Sequence, residues 1–347
     1  MLRCGDGTRA SKYEIAHNAS LCAPDYDTAH NAPLCAQTMT RRNFLLSGSG
    51  LVLAACGRSP RKIRLALNWK PDPQFGGFYA APYQKYGLDV EILPGGAGTP
   101  TVQMVGAGSA EFGIVSADEL VMARSQGNDV VALFAVFQTN PQGIMAHASR
   151  KLSGLSDVLK SGTLALQRGL PYARLLEKKY GFDKVKIVPS PGGDISVFLS
   201  DPNFAQQCFI VSEPLTARHK GADVQVFSVA EAGYNPYTTV LATSGDSLRQ
   251  DPARAKAMVA AVREGWRAYL DDPTPADQRM NRLNPSMAPE VFAEVAEAQK
   301  PLIETEDTRH NGLGSMTKER WETLIMQLKE LGDIQNAPAV QDCYRAL

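Results

Sequence analysis

Asn68 and Trp69 stand side by side directly after the alternating run Ile63-Arg64-Leu65-Ala66-Leu67. An indole face stacks on a flat heteroaromatic ring, and a primary amide pairs with ring nitrogens and exocyclic amines. The chemistry such a pair offers is recognition rather than bond-breaking. Phe78 and Tyr79 follow on the next helical stretch; one of them is core, and polarity alone makes Tyr79 the expected cleft-facing member. Ser116-Ala117-Asp118-Glu119 opens a helix straight after a strand. Free N–H groups and the Ser116 hydroxyl there suit an anionic or carbonyl group, while the same residues also read as an ordinary N-cap. Asp118 and Glu119 weigh against a strongly anionic ligand and for an amine-bearing ring.

A second set of candidates lies further along. "LQRGLPYARL" (166–175) places Arg168 and Tyr172 at another strand-to-helix loop. Arg168 would pair with a phosphate or carboxylate, or else sit as a solvated loop charge, and Tyr172 would close an aromatic sandwich with Trp69. "PSPGGDI" (189–195) is a glycine-containing turn, and Gly193 lets backbone approach a ligand. Glu213, in "VSEP", follows a strand and would accept from an exocyclic amine. Asn140 and Tyr237 sit where the chain passes between two halves, as hinge or cleft floor.

Signatures of catalysis are missing from the same stretch. There is no Gly-x-Ser-x-Gly, no phosphate-binding Walker loop and no dinucleotide fingerprint. His147, His219 and His310 are scattered, which favours surface or core roles over a metal or catalytic set. No catalytic residue, cofactor or metal site is therefore expected.

The elements that must position these residues follow a βα rhythm. Residues 63–67 read as a strand ending in the Pro- and Gly-rich "NWKPDPQFGGFYAA"; "GLDVEILPGG" (87–96) reads as a second strand. "GTPTVQMVGAGSA" (98–110) reads as a helix with Thr99 as N-cap and Pro100 at its first position. "EFGIVSADELVMARSQG" (111–127) is a strand running into a helix, and "DVVALFAVFQTN" (129–140) is an almost continuous apolar strand of the kind a parallel sheet buries on both faces. The rhythm restarts with "PQGIMAHA" (141–148), "GTLALQ" (162–167), "VKIVPS" (185–190), "QCFIVS" (207–212) and "DVQVFSV" (223–229), and "PYTTVLATS" (236–244) returns the chain to the first half. From Asp251 onward the pattern is helical, with Ala255, Met258, Val259, Val262, Trp266 and Tyr269 at three- and four-residue steps. The fold class is α/β, a two-lobed clamshell with two crossover segments: residues 62–143 plus 240–347 for one lobe and 144–239 for the other. Ligands in open α/β sheets sit at the carboxyl ends of strands, so the cleft is lined by strand-to-helix loops of both lobes.

Ahead of this body lies "TMTRRNFLLSGSGLVLAACG" (38–57). Arg41 and Arg42 precede a mostly apolar run of twelve residues, Phe44 to Ala55, too short for a stable membrane anchor. Leu53-Ala54-Ala55-Cys56 resembles the box of bacterial lipoproteins in which the cysteine is acylated, and the arginine pair resembles the twin-arginine export motif. Residues 39–55 are thus the expected signal peptide, Cys56 the lipidated residue and 56–61 a tether. The segment before it carries "AHNASLCA" and the near-copy "AHNAPLCA", which no packed core needs; residues 1–38 are expected to be an extension from a start-site error, with Met39 the true start. Lys+Arg and Asp+Glu both count 36 among 347 residues, giving no basic excess to attract nucleic acid. Of six cysteines only Cys208 and Cys343 lie beyond the signal-like stretch, which is no disulfide framework, although those two are free to pair.

Taken in order, "LALNWKPDPQFGGFYAA", "YGLDVEILPGG", "EFGIVSADEL" and "FIVSEPLTARHKG" resemble the type II periplasmic binding proteins of the thiamine-pyrimidine-precursor, sulfonate, nitrate and taurine branch. The resemblance covers about 63–270 and the helical tail. "LNWKP" followed by "GFYAA" is most similar to the pyrimidine-precursor and riboflavin binders. The resemblance implies a substrate-binding lipoprotein of an ABC importer that holds a small planar heteroaromatic without changing it. Its implied partners are a membrane permease and its ATPase, its place the outer side of the cytoplasmic membrane or the periplasm, and its state a monomer. It assigns ligand contact to the Asn68–Trp69 pair. The alternative reading is a thiamine-pyrimidine synthesis enzyme of the same fold, and the alternative ligands are riboflavin and an aliphatic sulfonate.

Overall fold

Ten strands fall where apolar runs meet turn residues: β1 (Ile63–Ala66), β2 (Val90–Leu93), β3 (Phe112–Val115), β4 (Val130–Phe137), β5 (Gln142–His147), β6 (Thr163–Ala165), β7 (Lys186–Val188), β8 (Phe204–Phe209), β9 (Val224–Ser228) and β10 (Thr238–Ser244). They belong to a computed structural model that describes residues 62–347. The expected extension 1–38, the signal peptide 39–55 and the tether with Cys56 lie outside the described residues.

Among the described residues the strands form two five-stranded sheets, ordered β2-β1-β3-β10-β4 and β7-β6-β8-β5-β9. The plan is the same in both. Three parallel strands come first, then the antiparallel strand that arrives through a crossover: β10 in the first sheet, β5 in the second. The molecule is thus a two-lobed α/β clamshell, lobe I on the first sheet and lobe II on the second. Residues 138–141 and 229–237 carry the chain between them.

Three expectations are corrected by the structure. β4 is buried at every position, as its apolar run suggests, yet its sheet partner β10 is antiparallel. Its free edge is covered instead by the C-terminal tail, through bridges of Ala135 to Gly314 and Ala132 to Tyr344. The strand expected over 207–212 begins and ends three residues earlier, because Ile210 and Val211 are spent on the turn into the helix Glu213–His219. The helix Thr101–Gly106 takes Pro100, not Thr99, at its N-cap; the Thr99 hydroxyl accepts from the Gly96 N–H at 2.8 Å.

The helical tail wraps lobe I. Helix Pro252–Asp271 packs its apolar stripe on the short helix Gly76–Ala80. The two approach so closely that a Cβ on Gly77 would lie 2.2 Å from the Trp266 indole, which is why "FGGF" carries glycine there. Phe78, Trp266 and Tyr269 meet edge to face at 5.9 and 5.6 Å between ring centroids. Cys208 and Cys343 are free and buried in separate cores, so they do not pair.

Candidate ligand-binding site

The carboxyl end of β1 delivers Asn68 and Trp69 to the edge of lobe I. Gly95, just past β2, donates its N–H to the Trp69 carbonyl at 3.1 Å and fixes that bend. The indole remains half-buried, and the Asn68 Oδ1 is buried with no protein group reaching it. A buried amide oxygen without a donor is costly, and a ligand N–H is a natural way to satisfy it.

Lobe II comes to the same place. Gly192 and Gly193 have φ of +63° and +88°, a left-handed turn open to glycine at little cost. A Cβ built on Gly193 would lie 3.4 Å from Trp69 Cζ2 and 3.6 Å from Glu213 Oε1. One point in space therefore touches the indole of one lobe and the carboxyl of the other. Glu213 opens the helix Glu213–His219, and its Oε2 accepts the Phe209 N–H at 2.8 Å, which leaves Oε1 toward the turn. Burial pushes its carboxyl up to about 7, against the pull of that backbone bond and of its own N–H. Beneath lies Asp72, buried and held by Gln74 through the backbone N–H (3.2 Å) and the side-chain amide (3.1 Å). Burial raises Asp72 to about 7 as well, and the neighbouring Glu213 adds to the rise.

Several sequence-predicted residues are placed elsewhere. Tyr79 is buried in the lobe I core with the Arg279 guanidinium over its ring, because the helix turns this face to the packing helices; burial lifts its hydroxyl to about 12. Arg168 is exposed and pairs with Glu177 at 2.9 Å, so it lies against the helix Pro171–Tyr180 that follows it. Asn140 is fully buried and spent on the crossovers: its N–H donates to Asn235 Oδ1 at 2.8 Å, its Nδ2 to the Tyr234 carbonyl at 3.3 Å. Tyr237 accepts the Thr317 N–H on its hydroxyl at 3.0 Å and lies under the Arg320 guanidinium, locked to the C-terminal helix Lys318–Glu330. Tyr172 is buried; its hydroxyl donates to Gln207 Oε1 at 3.4 Å, and it makes no sandwich with Trp69. Ser116 and Glu119 form the capping box of helix Ala117–Ser125, with the Ser116 N–H on Glu119 Oε2 at 3.1 Å. Water reaches Glu119, yet the protein around it raises its carboxyl, with Asp118 adding repulsion.

Trp69, Gly193 and Glu213 are the candidates the structure brings together, with Asn68 next to Trp69 in the same bend. Reading the sequence missed Asp72, Gln74 and Thr239. "PDP" registers as a loop, although an Asp ahead of a proline is also a helix-start signal, and Asp72 caps the turn Pro73–Phe75. Thr239 departs from normal backbone geometry, with φ of +52° at a buried β-branched residue. That conformation costs about 1–3 kcal/mol, and nothing in "PYTTVLATS" reveals it.

Residues 72–276 match the family described as NMT1/THI5 like. The chain belongs to that family. Among curated relatives, it is 21% identical to the formylaminopyrimidine-binding protein of Halalkalibacterium halodurans, over 82% of this chain and 90% of the relative. It is 22% identical to the riboflavin-binding protein RibY of Chloroflexus aurantiacus, over 82% and 85%. In structure it resembles the periplasmic aliphatic sulphonate binding protein SsuA of Escherichia coli, with a TM-score of 0.65 and 14% identity over 83% of this chain and 94% of that one. The NMT1/THI5-like segment begins at Asp72, so it takes in the Asp72–Gln74 floor, the Gly193 turn and Glu213 but starts just after the Asn68–Trp69 pair.

Proposed function

We propose that this chain is the substrate-binding component of an ABC importer and holds a small planar nitrogen heteroaromatic, an aminopyrimidine of the thiamine-precursor kind, without altering it. The observation that carries the reading is the shared point at Gly193, where the edge of the Trp69 indole and a Glu213 carboxyl oxygen converge from opposite lobes, 3.4 and 3.6 Å from the Cβ position. A ring laid on Trp69 would direct an exocyclic amine to Glu213 and present an N–H to Asn68 Oδ1. Arg168, the cation an anionic ligand would want, is turned to Glu177. This favours an amine-bearing ring over a sulfonate. The names of the two curated relatives point to the same class of flat, nitrogen-rich ligand.

Binding rather than synthesis is supported by where the histidines sit. His147 bonds the Phe198 carbonyl, His219 bonds Glu294, and His310 bonds the Glu306 carbonyl. Under this reading the protein is exported, is anchored through acylated Cys56, and passes its ligand to a permease and ATPase. The test is a thermal-shift screen with formylaminopyrimidine, a hydroxymethyl aminopyrimidine, riboflavin and an alkanesulfonate. An aminopyrimidine should raise the melting temperature and be recovered unchanged. A shift with the sulfonate alone, or conversion of the pyrimidine to another compound, would remove the reading.

A further inference from the structure

Thr239 stands where the second crossover enters β10. Its neighbours Thr238 and Val240 pair in step with Phe137 and Ala135, and the register of β10 on β4 shifts only further on, between Leu241 and Ala242. Among the described residues the other non-glycine residue with positive φ is Lys151, an exposed residue that caps the turn Ala148–Arg150. Thr239 is buried and β-branched, the residue type least suited to that backbone region. The conformation has one visible consequence: the Thr239 hydroxyl reaches Gln74 Oε1 at 3.4 Å. With its oxygen so occupied, the Gln74 amide turns its Nε2 onto Asp72 Oδ2, while the Gln74 N–H holds Asp72 Oδ1. Asp72 lies three residues past Trp69 in the same bend.

We propose that Thr239 is a positioning residue of the binding site, using its left-handed backbone to tie the interlobe crossover, through Gln74 and Asp72, to the loop that presents Trp69. Strain held at one buried position then sets the ligand-facing loop, and motion of the crossover is felt at the indole. This rests on the cleft being the ligand site, as argued above, but the tie itself has a readout without ligand.

The experiment compares Thr239→Val, which keeps the branched side chain and loses the hydroxyl, with Thr239→Ser, which keeps the hydroxyl, and Thr239→Gly, which relieves the backbone. Hydrogen exchange is followed at the amides of Gln74 and Phe75, and binding is titrated with formylaminopyrimidine and riboflavin. Thr239→Val and Thr239→Gly should speed exchange at both amides by about fivefold or more, the loss of one hydrogen bond, and weaken the bound probe by a similar factor. Thr239→Ser should match the wild type in both. Thr239→Gly should also melt about 2–4 °C higher, since strain is released. Should the wild type bind neither probe, the functional reading fails, while faster exchange in Thr239→Val with rescue by Thr239→Ser still upholds the tie. Unchanged exchange in Thr239→Val, or wild-type binding in Thr239→Gly, overturns it.

Discussion

The turns that follow β3 and β8 occupy equivalent places in the two sheets, and each puts a glutamate into the first turn of a helix. Their fates differ. Glu119 is spent on its own helix, closing a capping box with Ser116 while Asp118 takes the Tyr234 hydroxyl at 2.9 Å. Glu213 accepts backbone N–H groups, from Phe209 on Oε2 and from its own residue, and still places Oε1 3.6 Å from the Gly193 Cβ position beside Trp69. Similar local sequence and similar topology thus yield a capping acid in one lobe and, in the site proposed above, a binding acid in the other. The proposed site is asymmetric for that reason: lobe I would contribute the Trp69 ring and the unsatisfied Asn68 amide oxygen, lobe II an acceptor and a side-chain-free turn.

Removing the aromatic face is the strongest way to break this division. Trp69→Ala should weaken the ligand about a hundredfold or more, combining lost stacking with lost apolar burial, and should leave the fold intact because the indole is only half-buried. Isothermal titration measures the first part and circular dichroism the second. An undiminished affinity would take Trp69 out of the site.

The two glutamates test the comparison directly. Glu213→Gln should weaken an amine-bearing ligand by about ten- to a hundredfold, the range for one charge-assisted hydrogen bond, with little change in melting temperature at pH 5, where the buried acid is neutral. Glu119→Gln should do the reverse: affinity within about twofold, and a loss of roughly 0.5–1 kcal/mol at most in a denaturant titration, since glutamine still serves a capping box. Equal effects on binding from both would show that the lobes contribute alike.

Acid strength offers a finer probe. Asp72 and Glu213 both have folded pKa values near 7, above their ordinary 3.8 and 4.5. Between those limits the folded state holds more protons than the unfolded one, so stability falls as pH rises from about 4 to 7 and levels off above. The ligand-free protein should therefore melt higher at pH 5 than at pH 7.5 in buffers of equal ionic strength. Asp72→Asn should flatten that slope by about 1–3 kcal/mol across the interval. A rising slope in the wild type would show the cleft acids to be ion-paired rather than buried.

Much of the frame was legible because it rests on local pattern. The run 129–140 is apolar enough to demand burial, and Pro252–Asp271 repeats its apolar residues at helical spacing. What local pattern does not carry is which partner a polar group finds. Asn140 and Tyr237 read as cleft residues because they stand at crossovers, but each is satisfied by a residue about eighty or ninety positions away, Asn235 and Thr317. Tyr79 and Phe78 look alike as amphipathic candidates until the helices packed on them are known. The placement of Gly193 and Glu213 together was legible for the opposite reason: a glycine turn and an acid after a strand show their local geometry in a few residues.

The smallest expected effect falls on the residue whose placement most changed. An arginine at a strand-to-helix loop invites an anion, and a sulfonate binder would need one. Arg168 instead bonds Glu177 on the adjoining helix and lies 5.9 Å from the Phe182 ring centroid, with its side chain mostly in water. Exposed pairs of this kind contribute about 0–1 kcal/mol and are screened by salt. Arg168→Ala should therefore change affinity for any aminopyrimidine by less than about twofold and lower the melting temperature slightly, the more so at low ionic strength. A large loss of binding in this variant would mean that the loop swings its charge into the cleft when ligand arrives. The asymmetry argued from Glu213 would then give way to a site in which lobe II supplies both an acid and a base.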